Sequence, residues 1–184
     1  TWSLQQKISD IGLNTTSISG DTCIIGNYTD SSVKGCAYIY TRSGVTWTQQ
    51  QKIQASDGHG QNGGSYDGDY FGNCVAVSGD TCIVGAYKAA SGAAYVFTRS
   101  GVTWTQQKKF QNYDLVLTDH FGNSIAFYDE NTCLIGAYSQ GWIYHTEGYG
   151  AVYAFTNSNG TWTQQQKLQA SDKKSGDSFG YSIV

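Results

Sequence analysis

The chain contains no proline and no methionine, and only 14% of its 184 residues are charged. No apolar run approaches the roughly 18–20 residues that a helix needs to cross a bilayer, so membrane insertion is not expected. Eleven Lys and Arg face fourteen Asp and Glu, a formal net charge of −3. With no basic stripe, nucleic acid is not an expected partner. A chain that lacks methionine and opens in mid-repeat is expected to be a processed or partial product. Motifs of catalysis are missing too. There is no Gly-x-Ser-x-Gly, no His-Glu-x-x-His and no phosphate loop, so no catalytic residue is assigned and an enzyme is not expected.

What is present is repetition. Thr1-Trp2-Ser3-Leu4-Gln5-Gln6-Lys7 returns at Thr46–Lys52, Thr103–Lys109 and Thr161–Lys167. A period of this size marks stacked supersecondary units, and a residue common to all copies is first explained by packing. Gly, Ser, Thr, Gln and Tyr dominate, with 14 Tyr and 5 Trp, which favours short strands and tight turns.

The middle copy reads as four strands. Phe71–Val77 is a β-branched run, and Ser78-Gly79-Asp80 a hairpin turn. Thr81–Ala86 is a second strand, and Ala93–Arg99 a third after a variable connection. Ser100-Gly101-Val102 turns the chain into Thr103–Phe110, a fourth and more polar strand. In it Trp104, Gln106, Lys108 and Phe110 are expected to share one face by alternation. Three apolar strands and one polar strand suit a radial array whose rim strand blunts the exposed edge, the logic of a propeller blade.

Phe-Gly, a hairpin, then Ile-Val-Gly-Ala-Tyr and a Tyr-Val-Phe strand recur in order. This pattern resembles the FG-GAP repeat of integrin α-subunit β-propellers, over essentially the whole chain. The fold class expected is therefore all-β, a partial propeller of about three and a half four-stranded antiparallel blades. Residues 1–10 would be an outer strand of a preceding blade, 11–54, 55–111 and 112–169 three blades, and 170–184 the first strand of another. Two departures stand out. Tyr87 and Tyr138 occupy the place where such repeats often carry Pro. The turn Ser78-Gly79-Asp80-Thr81 is too short and too poor in oxygen ligands for the family's calcium hairpin, so no metal or other cofactor is assigned.

Cys23, Cys82 and Cys133 share one repeat position and read as small buried hydrophobes. Cys36 and Cys74 each break the repeat, standing where other copies have Ala or Ser, and they are the candidate disulfide. Asp57, Asp67 and Asp69 frame the longest connection between a fourth and a first strand, and read as turn caps before calcium ligands. His59, His120 and His145 read as solvated loop or surface residues. Asn14, Asn27 and Asn159 begin Asn-x-Ser/Thr glycosylation sequences. The connections from strand two to three and from four to one vary between copies and open on one face. One of them, Tyr138–Gly150, carries Trp142, Ile143, Tyr144, His145 and Tyr149. Large aromatic side chains on a loop of a rigid scaffold suggest recognition. The function expected is non-catalytic binding or adhesion by an extracellular or cell-surface propeller, with a protein or glycan ligand. Two alternatives stand: a structural subunit of a fibre or sheath built from identical subunits, and an accessory domain of a larger secreted enzyme.

Overall fold

A computed structural model describes residues 4, 6–8, 12, 14–60, 68–111, 119–141 and 148–184. They form three four-stranded antiparallel sheets. The first holds β1 (Thr15–Ser19), β2 (Thr22–Asn27), β3 (Cys36–Ser43) and β4 (Thr46–Ile53), with one helical turn, α1 (Asp30–Val33), between β2 and β3. The second holds β5 (Val75–Ser78), β6 (Thr81–Ala86), β7 (Ala93–Ser100) and β8 (Thr103–Phe110). The third holds β9 (Phe121–Asp129), β10 (Thr132–Ala137), β11 (Ala151–Ser158) and β12 (Thr161–Leu168). Each sheet is a simple meander, in sequence order from one edge to the other. The fold is a partial propeller.

The first strands form the inner edge. β1 packs on β5 and β5 on β9, whereas β4 and β8 barely meet. The Thr-Trp strands therefore lie outermost, where their polar side chains face water. Two apolar cores fill the gaps between sheets. One joins Ile24, Ile39 and Ile53 to Val84, Tyr95, Phe97 and Trp104. The other joins Ile83, Val96 and Phe110 to Phe121, Ile135, Tyr153 and Trp162. Alternation along β7 explains the division: Tyr95 and Phe97 look back to the first sheet, while Ala94 and Val96 look forward to the third.

The outer strand breaks the expected alternation. Val96 pairs with Lys108 and Phe97 with Gln106, so Gln107 is an extra, bulged residue. Gln50 and Gln165 are bulged in the same way. A bulge shifts the face of everything beyond it. Trp104 and Gln106 thus face the first sheet, and Lys108 and Phe110 face the third. The expectation that these four share a face is corrected by that one inserted residue.

The Phe-Gly pair reaches backwards. Phe71, Phe121 and Phe179 form parallel bridges to Gly35, Gly92 and Gly150 of the preceding sheet. Only in the third sheet does the strand extend back to include the phenylalanine. Gly26, Gly85 and Gly136 lie against the carbonyls of Gly72, Gly122 and Gly180, and a Cβ on any of the three would land on that oxygen. Phe179–Val184 makes its bridge but no strand, and residues 6–8 are not in a strand either.

Candidate functional site

A row of aromatic rings crosses the face onto which the variable connections open. Tyr28, Tyr87 and Tyr138 begin the connections that follow β2, β6 and β10. Tyr70 and His120 end those that follow β4 and β8. Tyr28 stacks on Tyr70 at 5.2 Å between centroids, and Tyr70 meets Tyr87 edge-on at 5.6 Å. Tyr87 meets His120 at 5.4 Å, and His120 stacks on Tyr138 at 4.9 Å. Tyr138 then meets Tyr181 at 5.1 Å. Offset and edge contacts of this kind are favourable, because ring faces are electron-rich and ring edges are not. Lys88 places its ammonium 4.6 Å from the Tyr70 ring centre.

Backbone strain accompanies the row. Tyr70, His120 and Ser178 have φ of 59°, 57° and 53°, a left-handed conformation that costs a non-glycine residue on the order of 1–2 kcal/mol. Each turns the chain just before Phe-Gly. The Tyr70, His120 and Ser178 carbonyls accept the N–H groups of Asn73, Asn123 and Tyr181 at 3.0–3.2 Å. Tyr70 and His120, held at these corners, project their rings into the row.

His120 is half-buried, not solvated as expected from its loop position. Its Nδ1 lies 3.0 Å from Ser139 Oγ. Burial and the Lys88 charge hold its pKa below the ordinary imidazole value, so the ring is neutral at pH 7. The sequence signal for the row was visible: Tyr stands at the would-be proline position, and an aromatic precedes Phe-Gly twice.

Of the recognition residues expected on the Tyr138–Gly150 connection, Trp142, Ile143, Tyr144 and His145 lie outside the described residues. Tyr149 is half-buried, with Lys173 Nζ 4.5 Å from its ring centre, and its carbonyl accepts the Phe179 N–H at 3.0 Å.

The disulfide expectation is corrected. Cys36 and Cys74 are both free thiols. Cys36 is buried at the start of β3, beside Tyr38 of the same strand and Asp30 of α1. Cys74 packs the other way, against the core shared with the third sheet. Burial raises both thiols to about 11, in Cys36 despite a hydrogen bond from Tyr38. Cys82 and Cys133 are fully buried, one in each core, and Cys23 is half-buried.

Asp69 and Asp177 serve turns, as expected of these aspartates, whereas Asp57 reaches across to the second sheet. Asp69, 2% exposed, accepts the His59 N–H at 2.6 Å, and Asp177 accepts the Lys174 N–H at 2.6 Å. Asp57 accepts the Tyr95 hydroxyl at 2.9 Å and Lys109 Nζ at 2.7 Å. Asp67 lies outside the described residues, as does His145. Among the glycosylation candidates, Asn27 is corrected. It is 7% exposed, and its Oδ1 accepts the N–H and hydroxyl of Thr29, the third residue of its own sequence triplet. Asn14 is exposed and its Oδ1 accepts the Tyr28 N–H at 3.1 Å. Asn159 is exposed, with φ 52° and Gly160 at 82°, an Asn-Gly hairpin turn.

A second set of contacts, missed at the sequence level, joins the outer strands. Gln51 Nε2 donates to the Trp104 carbonyl at 2.9 Å, and its Oε1 accepts the Trp104 N–H at 2.8 Å. Gln6 holds Trp47 in the same way at 3.0 and 2.7 Å. One primary amide thus satisfies both backbone groups of an edge residue.

The sequence profile of the FG-GAP repeat matches residues 47–97, 104–155 and 162–183, more than half of the chain. The chain belongs to the FG-GAP repeat family. Each match begins at an outer-strand Trp, and the first two run on into the next sheet, so the sequence repeat of this FG-GAP protein is offset from the blade it helps to build. A search of curated proteins returned no match.

Proposed function

We propose that this FG-GAP protein is a non-catalytic binding module, extracellular or at a cell surface, whose ligand contacts the aromatic face. The observation that carries the reading is the unbroken Tyr28–Tyr70–Tyr87–His120–Tyr138–Tyr181 row, supported by left-handed backbone at two of its members. Strain of this kind is found at ligand sites, where the surrounding fold offsets its cost. Tyr combines a rigid apolar ring with a polar tip, which suits protein and glycan partners alike. The outward location agrees with FG-GAP repeats being typical of extracellular proteins. The test is a glycan microarray and a panel of purified extracellular-matrix proteins probed with the native chain and with Tyr70→Ser/Tyr138→Ser. Serine already stands at 178, the position equivalent to Tyr70, and Tyr138 is only half-buried, so the fold should survive. Loss of a specific signal with an unchanged melting temperature supports the reading. An unchanged signal, or no specific signal from the native chain, overturns it.

A further inference from the structure

The outer seam is built twice with an amide and once with an ammonium. Gln6 and Gln51 each clasp the N–H and the carbonyl of a Trp in the next sheet. At the third seam the same repeat position is Lys108. Its Nζ donates to the Trp162 carbonyl at 2.8 Å, but an ammonium has no acceptor to offer the Trp162 N–H. A strand residue points its N–H and C=O to the same side, so that N–H faces the seam as it does in Trp47 and Trp104. The neighbouring bulge residue has changed as well. Gln50 Oε1 accepts the Trp104 indole N–H at 3.0 Å, whereas Gln107 donates its amide to the Thr105 carbonyl of its own strand. Here a cleft of about 210 Å³ opens, lined in part by Lys108, Phe110, Phe155 and Trp162. Among the described residues Lys108 meets only the Trp162 carbonyl and, at 5.9 Å, the Phe110 ring; no carboxylate answers its charge.

We propose that this seam is a carboxylate-binding site. One carboxylate oxygen accepts the Trp162 N–H and the other accepts from Lys108 Nζ, completing with an anion the two-pronged contact that glutamine makes elsewhere. Phe110 and Phe155, stacked at 4.3 Å, and the Trp162 indole form its apolar floor. Charge-assisted bonds of this kind are the stronger class. The site is independent of the aromatic face and stands or falls without it. The chemistry fits a free small carboxylate or an acidic side chain of a partner protein.

The native chain and Lys108→Gln are titrated with sodium acetate, with an acetylated Glu-containing tripeptide amide, and with sodium chloride at equal ionic strength, following backbone amide NMR shifts. The substitution installs the residue that already closes two seams, so it should fold and melt at a higher temperature. Saturable movement of the Trp162 amide with either carboxylate, absent with chloride and lost in Lys108→Gln, establishes the site. Stronger response to the peptide identifies a protein source, and equal response a small-molecule one. Movement of equal size with chloride, or retained in Lys108→Gln, or no movement at all, overturns it.

Discussion

The inner and outer seams join the same sheets by different physics. At the inner seam backbone meets backbone: Phe-Gly bridges the preceding sheet, and a glycine lies against the carbonyl of the next one. No side chain intervenes, so no atom can be added. At the outer seam a long side chain spans the gap, and water lies alongside. Sequence variation follows that division. Glycine stands at 26, 85 and 136 in every copy, whereas the clasping residue is Gln, Gln, then Lys. An edge contact tolerates exchange because water can replace what is lost. A dry backbone contact cannot relax in that way.

The largest effect should come from emptying the inner seam. Phe121 is fully buried in the second core, so Phe121→Ala should cost about 3–5 kcal/mol of unfolding free energy. Phe179, in the same motif but 37% exposed, should cost far less when changed to Ala. Denaturant melts of both variants would show this. Equal losses would mean that the bridge, not the burial, carries the energy.

Adding an atom should come next. Gly85→Ala puts a Cβ onto the Gly122 carbonyl oxygen, and overpacking against backbone should cost about 3 kcal/mol. Gly101→Ala is the control. It has φ 61° but nothing within 4 Å, so only the left-handed conformation is penalised, by about 1–2 kcal/mol. If the two variants melt alike, the close approach is not a constraint.

The outer seam should be gentler. Gln51→Ala removes two hydrogen bonds to Trp104 at a partly exposed edge, where each is worth about 1 kcal/mol. A loss near that of Phe121→Ala would erase the distinction between the seams.

The recurrence of Phe-Gly and Gly-Ala was legible in the sequence, but its use as a backbone contact between sheets emerged only from the structure. Hairpins and strand order followed from Ser-Gly-Asp turns and β-branched runs. The outer seam was not legible. Gln-Gln-Lys reads as polar edge until the bulge at Gln50, Gln107 and Gln165 is known. That one residue decides which neighbour position 51, 108 or 166 faces, and no local pattern announces it. Cys36 and Cys74 misled for a related reason. Breaking a repeat marks a position as different, but says nothing of the direction in which its side chain points. The aromatic row failed to emerge because its members come from connections distant in sequence, although Tyr87 and Tyr138 each stood out singly.

The smallest effect should be the one that acid exerts where the inner seam surfaces. His120 lies between Tyr87 and Tyr138, with Ser139 at its Nδ1 and Lys88 nearby. Burial and then the lysine charge depress its folded pKa. The unfolded chain therefore takes up a proton near pH 6.5 while the folded chain does not. Protonation favours the unfolded state, so this contribution to stability is full above about pH 6.5 and declines as the pH falls through that value towards the folded pKa. His120→Tyr places at this corner the residue found at Tyr70, keeps a ring in the row and removes the titration. Unfolding free energy measured from pH 7.5 to 5 should fall more steeply for the native chain than for His120→Tyr. The difference should be less than the loss from Gln51→Ala. Coincident slopes would mean that the ring accepts its proton within the row at no cost, and that the face is wetter than its packing indicates.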